Sequence, residues 1–193
     1  IYSGKYQLLI NVPISIASAL AASSVPALTA AYASGKRQEA KRQMNMATRF
    51  IMVIAFPCAV GMGVLASPIL QMLLHDSTEI SARMLQVGAA AVLVFSLSTL
   101  SNGLLQGINR MKEPIKNALI ALVLHLIVLV ALMLLLDLNI YAVVIANMVF
   151  GLLMCILNGH SLRKYSGYRQ EVFKTFFVPA VSSVGMGVVV LLC

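Results

Sequence analysis

Six apolar stretches, at about residues 7–33, 50–74, 84–106, 117–136, 138–160 and 175–193, follow one another along the chain, and none contains Asp, Glu, Lys or Arg. A bilayer core needs about 20 apolar residues per helix. One ionised side chain at a helix centre would cost about 2.5–3.5 kcal/mol. Backbone N–H and C=O groups must find partners inside lipid, which selects helices over open strands. The pattern therefore predicts an all-α, polytopic transmembrane helical bundle, residues 1–193 forming a single bundle of about six spans. Composition agrees, since charged residues make up 10% of the chain against about 25% in a soluble domain.

The charge that remains is sorted. The segment 34–49 holds Lys36, Arg37, Lys41, Arg42 and Arg49. The segment 107–116 holds Arg110, Lys112 and Lys116, and 161–174 holds Arg163, Lys164, Arg169 and Lys174. Twelve of the fourteen Lys and Arg thus lie in three alternate connections. The connections between them offer Arg83 against Asp76 and Glu79, and Asp137 alone. The positive-inside rule makes the loops 34–49, 107–116 and 161–174 cytoplasmic. The first span then runs inward and the sixth outward. The chain begins with Ile1 and its last apolar run stops at Cys193 without a polar flank. It reads as an internal part of a longer membrane protein, with an odd number of spans expected before residue 7 if the N-terminus is cytoplasmic.

Several function classes are disfavoured. A net charge of +8 can signal nucleic acid, but that needs a basic face with stacking aromatics; here the cations sit between apolar runs and Trp is absent. No nucleic-acid partner is expected. Cys58, Cys155 and Cys193 each stand alone in an apolar run, the setting of small core residues rather than of a disulfide or metal site. No intramembrane carboxylate pair, HExxH, GxSxG or Ser–His–Asp set is present, so no catalytic residue, cofactor or metal is assigned and an enzyme is not expected.

The composition of the spans singles out a few residues. The first contains Pro13 and Pro26, with Ser15, Ser18, Ser23 and Ser24 and many alanines. Ala17 with Ala21, and Ser18 with Ala22, place small residues four apart and permit close helix approach. Proline frees a carbonyl and permits a bend. The second span repeats the theme with Pro57, Gly61, Gly63 and Pro68. These two spans read either as tightly packed kinked helices or as helices that bend and line a hydrated path. In the third, Ser98, Ser101 and Asn102 share a face suited to interhelical hydrogen bonds or to substrate. The fourth is apolar all round apart from His125, which predicts a lipid-facing helix whose histidine is a structural hydrogen-bonding group or a proton relay.

The stretch "INVPISIASALAASSVPALTAAYASGKRQEAKRQMNMATRF", the Pro-containing "IAFPCAVGMGVLASPILQMLL" and "LSNGLLQGINRMKEPIKN" resemble the eighth to eleventh helices of the multidrug/oligosaccharidyl-lipid/polysaccharide flippase superfamily. The likeness is nearest to the stage V sporulation protein B-type polysaccharide transporters and their lipid II flippase relatives. It covers residues 1 to about 120, and hydropathy carries it beyond. The resemblance implies a bacterial plasma-membrane transporter of two pseudo-symmetric halves. It would move a lipid-linked oligosaccharide or peptidoglycan precursor by alternating access, with membrane lipid and lipid-linked saccharide as partners. It also implies a cationic cavity for the diphosphate. Lipid II flippases carry a cavity arginine near the start of helix eight; here the stretch reads "SGKYQLLIN", with Gln7 nearest that place and Lys5 two positions upstream. Lys5, Gln7, Asn11, Ser15 and Ser18 are the substrate-cavity candidates, Lys5 having an alternative as an interfacial anchor. Pro13, Pro26, Pro57 and Pro68 are the helix-kink candidates. A multidrug/cation antiporter of the same superfamily and a non-transporting scaffold subunit are the rival readings.

Overall fold

The computed structural model describes residues 2–74, 79–136, 139–168 and 173–192, and within them every element is helical. The order is α1 (Tyr2–Ala33), α2 (Arg37–Val64), α3 (Ala66–Leu74), α4 (Glu79–Gly107), α5 (Lys112–Leu136), α6 (Asn139–Ser166), a π-helical turn (Phe173–Phe177) and α7 (Val178–Leu192). Five of these are long and apolar enough to cross a membrane; the described apolar part of α7, Thr175–Val190, is shorter.

The helices do not stop where the charge begins. α2 starts at Arg37, so most of the segment 34–49 is helix rather than loop. α5 likewise starts at Lys112 and α6 runs on to Ser166. Hydropathy marks where a helix leaves lipid, whereas its hydrogen bonds continue until a residue ends them. The terminators are explicit. After α1, Gly35 takes φ +72°, Gly35 N–H donates to the Tyr32 carbonyl (3.2 Å) and Lys36 N–H to that of Ala31 (3.0 Å). After α4, Asn109 takes φ 59°, its N–H donates to Gln106 (2.9 Å) and Arg110 N–H to Leu105 (2.9 Å). Both are Schellman closures, which require a left-handed residue and so select Gly or Asn. The same turn closes both hairpins.

The prolines behave differently from one another. Pro13 and Pro26 sit inside unbroken α1, and Pro57 inside α2. Pro68 stands at the third position of α3, and the chain breaks three residues before it, at Leu65. A proline there cannot donate to the carbonyl four residues back and its ring crowds that group.

α4 is the hub, packing against α1, α2 and α6; α5 lies outside α6 and α7 outside α2. Between the helices the small residues do the packing, because lipid supplies no hydrophobic drive for helix association. A Cβ at Gly103 would lie 2.7 Å from Ala21 Cβ, and one at Gly187 2.7 Å from Val60 Cγ1. Ala17 is fully buried beside Ala21, while Ser18 and Ala22 of the same helix are exposed. One apolar cluster joins Ala17, Ala21 and Leu28 to Met44, Ile51, Leu100 and Leu105; another joins Ile10 to Ala59, Leu70, Leu85 and Val92. The most enclosed span is α4, at 61% of its apolar window, and the least is α5, at 11%. The first span, expected either to pack tightly or to line a hydrated path, buries one stripe only.

Candidate functional site

Turning about 100° per residue, α1 presents three faces. Ile10, Ala17, Ala21 and Leu28 are buried on the first. Val12, Ile16 and Ala19 are exposed on the second. The third carries Gln7, Asn11, Ser15 and Ser18, all exposed, at spacings of four, four and three. Ser15 Oγ donates to the Asn11 carbonyl (2.8 Å) and Ser18 Oγ to that of Ile14 (3.1 Å). Each hydroxyl thereby disposes of its proton on its own helix and keeps acceptor lone pairs facing outward. The amides of Gln7 and Asn11 have no hydrogen-bond partner among the described residues. The result is an uncharged polar stripe of about 16 Å, eleven steps of 1.5 Å each, which no helix among the described residues covers. Lys5 belongs to the first turns of α1, and its side chain lies outside the described residues.

A second polar group is closed rather than open. Asn117 Nδ2 of α5 donates to Asn158 Oδ1 (2.9 Å) and lies 3.2 Å from Ser161 Oγ, both on α6. Asn158 Nδ2 donates in turn to Asn102 Oδ1 (2.7 Å) and lies 3.3 Å from Ser101 Oγ on α4. Ser101 Oγ donates to the Ser98 carbonyl (2.8 Å). The Ser98, Ser101 and Asn102 face thus bonds to helices, not to an open path. Sequence reading had noted one side of this network and missed Asn117, Asn158 and Ser161, whose only signal was a polar residue near the basic end of an apolar run.

Below the network the basic ends interlock. Tyr32 Oη donates to the Tyr165 carbonyl (3.3 Å), Tyr165 Oη to Glu113 Oε1 (3.1 Å), and Arg37 and Arg110 stack on the two rings at 4.1 and 4.5 Å. His125 holds the Ala146 carbonyl at 2.9 Å through Nδ1 and meets Phe150 edge-on. A carbonyl only accepts, so Nδ1 carries the proton, and the histidine ties α5 to α6. Ala121 and Asn117 are buried on the same helix, while Leu119, Leu122, Val123, Leu126, Ile127 and Val130 are exposed. Cys155 Sγ donates to the Val94 carbonyl (3.1 Å), and Cys58 is a free thiol; Cys193 is outside the described residues.

Apolar helices of spanning length, small-residue contacts and polar groups paired between helices define a multi-pass α-helical membrane protein. The chain belongs to the lipid II flippase MurJ family, whose model matches residues 4–193. Lipid II flippase MurJ of Bacillus subtilis (strain 168) is 26% identical over 193 residues, covering 95% of this chain and 34% of that protein. The chain therefore spans about a third of the length of that curated relative. No solved structure matches it.

Proposed function

We propose that this chain is part of a flippase that carries a lipid-linked peptidoglycan precursor across the bacterial plasma membrane by alternating access, with the polar stripe of α1 forming wall of its hydrated path. The stripe carries the proposal. In lipid, outward amides and hydroxyl lone pairs without partners are costly, so Gln7, Asn11, Ser15 and Ser18 are expected to face water, substrate or another part of the protein. Family membership makes a lipid-linked saccharide the fitting substrate, because hydroxyl-rich sugars pair with uncharged amides and hydroxyls. Lys5, two positions before Gln7 in the sequence, is the cation assigned to the diphosphate in this reading. The basic ends, by the positive-inside rule, are cytoplasmic. Transport of this kind makes and breaks no covalent bond.

The test uses the full-length protein in cells depleted of their own flippase. Ser15→Leu/Ser18→Leu should abolish growth support while membrane abundance, read by blotting, stays unchanged. Normal growth with the double variant would remove the stripe from the transport path and leave the scaffold reading.

A further inference from the structure

The first turns of α2 carry a surface that the transport reading does not use. Ala40, Met44, Ala47, Thr48, Ile51 and Ala55 are buried on one side of the helix. On the opposite side Arg42, Met46, Arg49, Phe50 and Val53 line up at spacings of four, three, one and three, and all are exposed, Phe50 and Val53 at 57%. Charged and apolar residues therefore share one outward face.

The polar part of this face borders an open recess of about 860 Å³ whose lining includes Lys36, Arg37, Lys41, Arg42, Asn45 and Arg49. Glu39 is the carboxylate in that lining, and it accepts from Gln43 Nε2 (3.2 Å). Arg37 is stacked on Tyr32. Arg42 and Arg49 have neither an ion pair nor a hydrogen bond among the described residues. Two free guanidiniums thus stand two turns apart, about 10 Å along the axis, with Asn45 and Met46 between them.

The level of this pair in the membrane follows from its neighbours. From Phe50 to Leu74 the sequence has no charged residue, so hydrocarbon begins at about Phe50 and Arg49 stands at its edge. Arg42 then reaches through a head-group layer of about 5–8 Å per leaflet. A soluble partner would have to cover Phe50 and Val53 inside the hydrocarbon, which no soluble chain does. A phospholipid has both parts in the right order. Guanidinium is planar and many-donored, and grips phosphate oxygens two at a time. A zwitterionic head group would bring its own cation into a field already positive, so a net negative one is favoured.

We propose that Arg42 and Arg49 hold the phosphodiester of an anionic phospholipid of the leaflet on the basic side, with its acyl chains along Phe50 and Val53. This bound lipid is distinct from any transported molecule, because the face lies on α2 and not on the stripe of α1.

The experiment uses the full-length protein released from nanodiscs of equimolar phosphatidylglycerol and phosphatidylcholine, with retained lipid counted by native mass spectrometry. Phosphatidylglycerol should be retained in preference to phosphatidylcholine. Arg42→Gln/Arg49→Gln should cut that preference by about fivefold per arginine, and Arg42→Lys/Arg49→Lys should keep part of it. Thermal unfolding in phosphatidylcholine alone should be unchanged, and Arg42→Gln by itself serves if the double variant unfolds. Retention of phosphatidylglycerol by the glutamine variants at the unsubstituted level would overturn the proposal. So would its displacement by millimolar inorganic phosphate, which would mark a soluble-anion site, or a Val53→Cys thiol that the full-length protein shields from a lipid-phase reagent.

Discussion

Asn117 and Asn158 face each other across the α5–α6 contact, Nδ2 to Oδ1 at 2.9 Å, and Asn158 passes the bond on to Asn102 of α4 at 2.7 Å. Three consecutive helices, α4, α5 and α6, are locked in register by one fully buried side chain. Asn158→Ala leaves the Asn102 oxygen without its partner and the Asn117 amide with Ser161 Oγ alone. Unpaired buried groups cost about 1–3 kcal/mol each, although measured interhelical bonds in membranes average about 0.6 kcal/mol. A loss of about 1–2 kcal/mol is expected, read as an earlier thermal transition in detergent. Asn102→Ala should cost less, since Asn158 keeps its other contacts.

The α1–α4 crossing rests on size alone. Gly103→Ala places a methyl 2.7 Å from that of Ala21, and two backbones that meet this closely have no flexible side chain to move aside. Folded yield should fall sharply. Ala21→Gly in the same protein should restore it, because the pair then regains its total volume. Failure of that rescue would mean that Gly103 matters for something other than its fit to Ala21.

Orientation follows from three basic segments and is open to direct labelling. Ser34 and Lys164 are exposed at the basic ends. Cysteine at either should react with a membrane-impermeant thiol reagent from the cytoplasm only. Ser161, although in a basic segment, is buried against Asn117 and makes a poor probe. Cysteine at Ser77, which is outside the described residues, should react from the outer side only. The opposite pattern reverses every directional statement.

Lys5 separates a cavity role from an anchoring one. Lys5→Gln keeps length and hydrogen bonding but removes the charge that would pair with a diphosphate. With a cavity role, transport falls sharply at unchanged membrane abundance. With a lysine that merely snorkels to the outer head groups, the variant supports normal growth.

The helices were legible because each apolar run carries its own length, and the family through the Pro-containing small-residue helix and the turn after it. Their ends were less legible: α2 begins at Arg37 rather than about residue 50, since charge ends a membrane span without ending a helix. The central place of α4 was missed as well. Its small residues, among them Gly103 and the buried Ser96, Ser98 and Ser101, announce a crowded helix only once the partners are known. Asn117 and Asn158 stand 41 residues apart, and nothing in a single sequence pairs them. The stripe of α1 could be written down from spacing alone, but that no neighbour among the described residues covers it is a fact of packing.

A cysteine scan along α1 of the full-length protein tests the central claim most directly. Cysteines replacing Asn11, Ser15 and Ser18 should react rapidly with a small water-soluble thiosulfonate, and those replacing Val12, Ile16 and Ala19 slowly, giving a helical period. Added lipid-linked precursor should protect the fast set. Slow reaction at Ser15 and Ser18, or fast reaction around the whole helix, would contradict a hydrated transport path along this face.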